Sequence, residues 1–315
     1  MTLLYTDPRF LDHQTGSHPE RPERLRKIVE RLAESGLGAK CVPAASEPIS
    51  LARLARVHAP DYVAAVERFV AAGGGQIEAD TVVSPGSLTA ALLAAGAVSD
   101  AVRRVVRGED QTALCLVRPP GHHALPAATM GFCLFNNVAV GAKMALAEEQ
   151  LDRVLIVDWD VHHGNGTQAM FYEDPQVGFF SSHRWPFYPG TGDAAETGRG
   201  PGLATTCNLP IAYGTPRAEF LGQFVRELSD FAARIQPQLV LISAGFDAHR
   251  LDPIGSLELE TEDFATLTQA VQQIAAVYAG GRIVSVLEGG YHVAALADSV
   301  QVHLQELLKQ SSSEP

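Results

Sequence analysis

Val154-Leu155-Ile156-Val157-Asp158-Trp159-Asp160-Val161-His162-His163-Gly164-Asn165-Gly166-Thr167 is the stretch that decides how this chain is read. Val154 to Val157 are branched aliphatics without a polar break. That is the pattern of a short strand buried on both faces, as in a parallel sheet. Asp158 closes the strand, and Asp160 and His162 follow with one residue between them. Alternate side chains of an extended segment point the same way, so Asp-x-His can offer a carboxylate and an imidazole to one divalent ion. Gly164 and Gly166 then let the backbone turn.

Outward from this point, the same pattern of strand, loop and helix repeats. Strands are expected at Thr112–Val117, Val177–Phe180, Leu239–Ile242 and Ile283–Leu287. Helices are expected at Leu88–Arg107, Asn137–Leu146, Phe220–Ile235, Phe264–Ala279 and Val293–Leu308. Nearer the start, Tyr5 to His18 reads as a loop. Helices follow from Pro19-Glu20-Arg21-Pro22 and from Ala59-Pro60-Asp61, and Gly73-Gly74-Gly75 reads as a flexible break. No internal repeat or long polar linker divides the chain. The expectation is one α/β domain over residues 1–310 with a mostly parallel sheet, and a frayed tail at 311–315.

Ligands of such sheets bind beyond the carboxyl ends of the strands. Four expected strand exits carry reactive groups: His122/His123, Asp158/Asp160/His162, Asp247 and Tyr291. Asp247 is the best third ligand to complement Asp160 and His162, although an Asp at a tight turn often serves only as a helix cap. Two carboxylates and an imidazole favour zinc without excluding ferrous iron. His122 and His123 suit acid/base work on a water, unless one is purely structural. Asp158 and Asn165 can each fix the tautomer of one of them, which would leave the two rings with different basicity. The Tyr291 phenol, on a glycine turn, can polarise a carbonyl; an isolated tyrosine more commonly belongs to the core. Aromatics in Gly131-Phe132-Cys133 and Phe187-Tyr188-Pro189-Gly190 can wall a slot for an aliphatic chain.

Composition narrows the class. The chain has 315 residues, 46% of them hydrophobic, and a mean hydropathy of +0.03, as expected of a globular protein with a large core. A formal net charge of −12 disfavours nucleic acid as a direct partner. Cys41, Cys115, Cys133 and Cys207 form no Cys-x-x-Cys, so neither a thiolate metal site nor a disulfide framework is expected. The opening residues do not read as a secretory signal, and the greasy segment near Ala90–Val98 is too short to span a bilayer. A cytoplasmic enzyme without a membrane partner is the default expectation, and oligomeric state is left open.

These residues together resemble the histone deacetylase family, which includes acetylpolyamine amidohydrolases and acetoin-utilisation proteins. The stretches that carry the resemblance are Arg118-Pro-Pro-Gly-His-His123, Gly131-Phe-Cys, Asp158 to Thr167, Tyr188-Pro-Gly-Thr-Gly192, Ser243-Ala-Gly-Phe-Asp247 and Leu287-Glu-Gly-Gly-Tyr291. They occur in order over most of the chain and are most similar to the class II branch; His18-Pro19-Glu20-Arg21 and Arg24 match the family's opening. The resemblance implies an arginase-like α/β fold with one zinc ion on Asp160, His162 and Asp247. It implies that His122 and His123 form the acid/base pair and that Tyr291 polarises the carbonyl. It also implies an acyl-lysine tunnel walled by Phe132 and Tyr188, with Gly131, Ile254 and Gly290 beside them. Potassium is implied near Asp158, Asp160, His162 and Ser181, and a second potassium near Phe171 and Val177.

The implied reaction is release of an acetyl or related acyl group from an amine. Polyamine-specific relatives often place an acid after an Asp-Pro; here Asp252-Pro253 is followed by Ile254, and the His13–His18 loop is short. Both features lean towards acyl-lysine over a small acylated amine as substrate. A non-catalytic acyl-amine binder and a two-metal hydrolase of the arginase kind are the rival readings.

Overall fold

The computed structural model describes residues 1–310; the expected tail at 311–315 lies outside the described residues. Its strands are β1 (Thr2–Tyr5), β2 (Val42–Ala44), β3 (Gly75–Glu78), β4 (Thr81–Val83), β5 (Thr112–Cys115), β6 (Val154–Asp158), β7 (Val177–Trp185), β8 (Thr206–Ala212), β9 (Leu239–Ala244) and β10 (Ile283–Leu287). Its helices are α1 (Pro22–Glu34), α2 (Leu51–Leu54), α3 (Pro60–Ala71), α4 (Ser87–Val106), α5 (Asn137–Ala147), α6 (Asn165–Phe171), α7 (Arg217–Ile235), α8 (Asp263–Tyr278) and α9 (Val293–Gln310).

Eight strands form one sheet in the order β2-β1-β5-β10-β9-β6-β7-β8, and each neighbouring pair runs parallel. Every residue of β5, β6, β9 and β10 is buried, which is why these segments are mainly apolar, with Ser285 the polar residue inside β10. Helices α4 and α5 pack together against β5, β10, β9 and β6, while α1, α7, α8 and α9 form the layer on the other side. Asn136 caps α5 by accepting from the Ala139 amide, and its Nδ2 donates to Thr167 at the start of α6.

The elements that sequence periodicity overlooks are short or lie at the edge. Tyr5, expected in a loop, closes β1, a strand of only four residues that lies second from the edge of the sheet. Both β2 and the edge strand β8 contain proline (Pro43 and Pro210), which weakens a strand signal and is tolerated where a ladder donor is not needed. Strand β7 runs on to Trp185, past the expected end at Phe180, because β8 pairs with it as far as Ala212. Gly73–Gly75 is not a free break: it leads into the β3–β4 hairpin, whose turn carries Asp80.

The four reactive exits belong to β5, β10, β9 and β6. These are neighbours in the middle of the sheet, although the chain visits them in a different order. Their carboxyl ends therefore open onto one crevice.

Candidate active site

Asp160 and His162 follow β6 through a bend, rather than in the extended form expected of Asp-x-His, and Asp247 arrives from the turn after β9. One ligand atom from each lies within 4.8 Å of the other two, and all three residues are buried. Nδ1 of His162 is 3.0 Å from Asp160 Oδ1 and 3.1 Å from Asp247 Oδ2. Asp160 is anchored behind by the amides of His162 and Gly289, which donate to Oδ1 and Oδ2 at 2.9 and 2.8 Å. Asp247 Oδ1 accepts from the Val161 amide, but its buried Oδ2 accepts no hydrogen bond. A Cβ on Gly289 would sit 2.2 Å from Asp247 and 2.5 Å from Asp160, so glycine is required there.

This set fits a divalent cation. Burial opposes charge on both carboxylates. His122 and His162 nevertheless hold Asp160 well below the usual carboxylate range, and the Asp160 charge helps push Asp247 up to about 7. Burial also opposes charge on His162, yet the two carboxylates raise it to about 9. Two acids thus crowd one imidazole nitrogen, and an orphaned carboxylate oxygen faces the same point. A metal with nitrogen and oxygen ligands resolves that arrangement.

His122 and His123 follow β5, with ring centroids 4.0 Å apart. His122 Nδ1 donates to Asp158 Oδ2 at 3.0 Å, and His123 Nδ1 donates to Asn165 Oδ1 at 2.7 Å. In both rings Nε2 is left for other work. Burial disfavours charge on each. Asp158 and Asp160 reverse this for His122, raising it to about 10, whereas the neighbouring His122 and His162 help hold His123 far below its ordinary value. The two rings therefore sit in different settings, His122 beside its Asp158 partner and His123 under burial and its histidine neighbours rather than under the influence of Asn165.

A cavity of about 200 Å³ leads to this floor, lined by Asp80, His123, Gly131, Phe132, His162, Phe187, Tyr188, Ile254 and Tyr291. Phe187 stacks on the His162 ring at 5.3 Å, and Tyr188 meets His123 edge-on at 5.2 Å. Phe132 meets Tyr291 edge-on at 5.7 Å. Gly131 has φ +56, and a Cβ there would fall 2.3 Å from the His123 ring. Burial, and then the Asp247 charge, keep the Tyr291 phenol strongly protonated.

One expected lining residue is misplaced: Gly290 does not line the cavity. It lies behind Tyr291, where its carbonyl accepts from Arg24 Nε at 2.6 Å and its Cα faces Phe246 and Leu296. Of the expected potassium residues, Ser181 sits beside Asp158 in the β6–β7 register, with its Oγ bonded to His183. Phe171 ends α6 and Val177 begins β7.

Three acids escaped the sequence reading. Asp80 reaches the cavity from the hairpin and accepts from the Gly131 amide at 3.1 Å. Glu288 Oε2 accepts from the amides of Gly121 and His122, at 2.7 and 3.2 Å. Burial pushes Glu288 up to about 7 against the pull of His122. Asp252 accepts from the amides around Ile254 and Tyr291. The Asp-Pro-x-Gly turn was the one local signal for Asp252; Glu288 lies within the Leu287-Glu-Gly-Gly-Tyr291 stretch but was given no role, and Asp80 had no signal.

Comparison with known proteins adds an independent finding. Residues 18–307 match the family model described as histone deacetylase domain. The chain is 44% identical over 319 residues to human "Polyamine deacetylase HDAC10", covering 97% of this chain and 46% of that protein. It is 38% identical to "Histone deacetylase-like amidohydrolase" of Pseudomonas aeruginosa, over 87% of this chain and 72% of the relative. It therefore spans about half the length of the human relative. Among solved structures, the "Crystal Structure of HDA15 HD domain" superposes with a TM-score of 0.92 at 36% identity, covering 98% of this chain and 91% of that one.

Proposed function

Because the chain belongs to the histone deacetylase family, we propose that it is a zinc-dependent amidohydrolase that removes acetyl or related acyl groups from aliphatic primary amines, acyl-lysine side chains first among them. The observation that carries this reading is the narrow aromatic cavity ending at His123, Tyr291 and the Asp160–His162–Asp247 cluster. A zinc ion held by Asp160, His162 and Asp247 would supply a Lewis acid that polarises the amide carbonyl and acidifies a water.

The chain's own residues account for the rest. Phe132, Phe187, Tyr188 and Ile254 enclose the aliphatic stem and exclude bulk water. His123, neutral and with its Nδ1 proton given to Asn165, takes a proton from the attacking water at Nε2. His122, kept charged by Asp158, lies beside it and stabilises the negative charge that develops on the carbonyl oxygen. The Tyr291 hydroxyl donates to that oxygen. As the carbon–nitrogen bond breaks, His123 returns its proton to the departing amine, leaving acetate and a free amine.

A second reading has a specific support. Asp80 contributes a carboxylate to the cavity lining, and the human relative is named a polyamine deacetylase, so an acetylated polyamine with a cationic tail is the rival substrate. Parallel turnover of acetyl-lysine peptides and acetylated polyamines by enzyme carrying one zinc per chain separates the two. Faster release from the polyamine would reverse the ranking, and release from neither would refute the hydrolase reading. Chelation should abolish turnover and added zinc should restore it.

Potassium at Asp158, Asp160, His162 and Ser181, with a second ion near Phe171 and Val177, belongs to the same reading. Replacing potassium with tetramethylammonium at constant ionic strength should lower the melting temperature. An unchanged melting temperature would remove these ions from the account. A cytoplasmic setting is likewise part of this proposal; among the described residues no helix is long and apolar enough to cross a membrane.

A further inference from the structure

Asp252 lies in the segment between β9 and α8 and is only 8% exposed. Its two carboxylate oxygens are each shared by two backbone donors. Oδ1 accepts from the amides of Ile254 at 2.9 Å and Gly255 at 3.0 Å. Oδ2 accepts from the amides of Tyr291 at 2.6 Å and His292 at 3.2 Å. One pair belongs to the rim of the cavity, where Ile254 is a wall. The other belongs to the turn that presents the Tyr291 phenol. The rim segment is braced from outside by Arg184, whose Nη1 donates to the Gly255 carbonyl at 3.0 Å. The Tyr291 turn follows Gly290, which has φ +119 and no side chain to restrict it.

We propose that Asp252 is a positioning residue that couples the substrate-facing rim at Ile254 to the orientation of Tyr291. This rests on the reading of Tyr291 as the group that polarises the substrate carbonyl. A rigid planar carboxylate joins the two segments, so displacing Ile254 with an acyl-amine stem moves the acceptor that holds the Tyr291 backbone. The chemistry demands a carboxylate. All four partners are N–H donors, and only an acceptor-only side chain with two oxygens can serve both pairs. An asparagine would turn its own N–H₂ towards one pair and leave those donors without a partner.

The test is a double-mutant cycle of Asp252→Asn with Tyr291→Phe, read as kcat and KM on the better acyl-amine substrate, together with amide hydrogen exchange. Asp252→Asn should lower kcat by roughly 10- to 100-fold in the wild-type background, and by no more than about 3-fold when Tyr291 is already phenylalanine. Exchange at Ile254, Gly255, Tyr291 and His292 should accelerate together, while β6 and β9 keep their protection. Equal losses in both backgrounds, or unchanged exchange at the Tyr291 turn, would overturn the coupling. Should the asparagine variant not fold, Asp252→Ser, which leaves room for a bridging water, carries the same expectations. A wild-type enzyme that hydrolyses no acyl-amine would instead refute the deacetylase reading, and the exchange measurement would still decide the role of Asp252.

Discussion

His122 and His123 are adjacent in the chain but sit in opposite electrostatic settings. A carboxylate holds the first charged, whereas burial and the neighbouring His122 and His162 hold the second neutral. On the proposed mechanism, His123→Ala should remove the proton acceptor, and Tyr291→Phe the hydrogen bond to the developing oxyanion. Each should lower kcat by about 10²- to 10⁴-fold with KM changed far less, as steady-state kinetics would measure. Either variant at wild-type kcat would remove that residue from the mechanism. At this scale the sequence was most informative where chemistry and spacing coincide. Asp160 and His162 meet although the chain bends after β6, because the His162 amide and ring both turn towards Asp160 Oδ1. Asp80 and Glu288 drew no assigned role for the opposite reason, and Asp252 drew none despite its turn. Their partners are backbone amides of segments far away in the chain, and an amide carries no residue-type signature.

The central strands announced themselves because burial on both faces demands aliphatic runs, as in Val154–Val157 of β6 and Leu239–Ile242 of β9. The loop after β5 is fixed by an element that its composition does not suggest. Glu20, just before α1, is completely buried and pairs with Arg118 through Nε and Nη2 at 2.5 and 2.8 Å, and with Arg24 at 3.1 Å. Arg118 also donates to the carbonyls of Phe10 and His13. Burial opposes charge on Glu20, but Arg118 and His13 hold it well below the usual carboxylate range. Glu20→Gln would leave two buried guanidinium groups without their counter-charge. A loss of about 3–5 kcal/mol in a urea titration is expected. A change below about 1 kcal/mol would show that the opening segment does not anchor the β5 exit.

For the whole molecule, acid stability follows from histidines buried in the neutral state. Burial lowers His58 to about 4 and His303 to about 3, against 6.5 for a free imidazole. His303 is enclosed by the hydroxyls of Thr268 and Ser285, and His58 by the Leu125 carbonyl and the Asn136 amide. Unfolding releases both rings to bind protons. Their contribution is fully present above pH 6.5 and is lost as the pH falls towards 4 and then 3. His303→Gln should make the acid-side slope of melting temperature shallower than that of the wild type across that window. Equal slopes for the two proteins would contradict the assignment.

The strand order β5-β10-β9-β6 has a consequence for biosynthesis. His122 waits for a neighbour, β10, that is translated some 160 residues later, and Tyr291 emerges last of all. A ribosome paused before Ile283 holds a polypeptide whose middle strand is missing, so products truncated there should be catalytically silent, and the site becomes complete only once Tyr291 has been added.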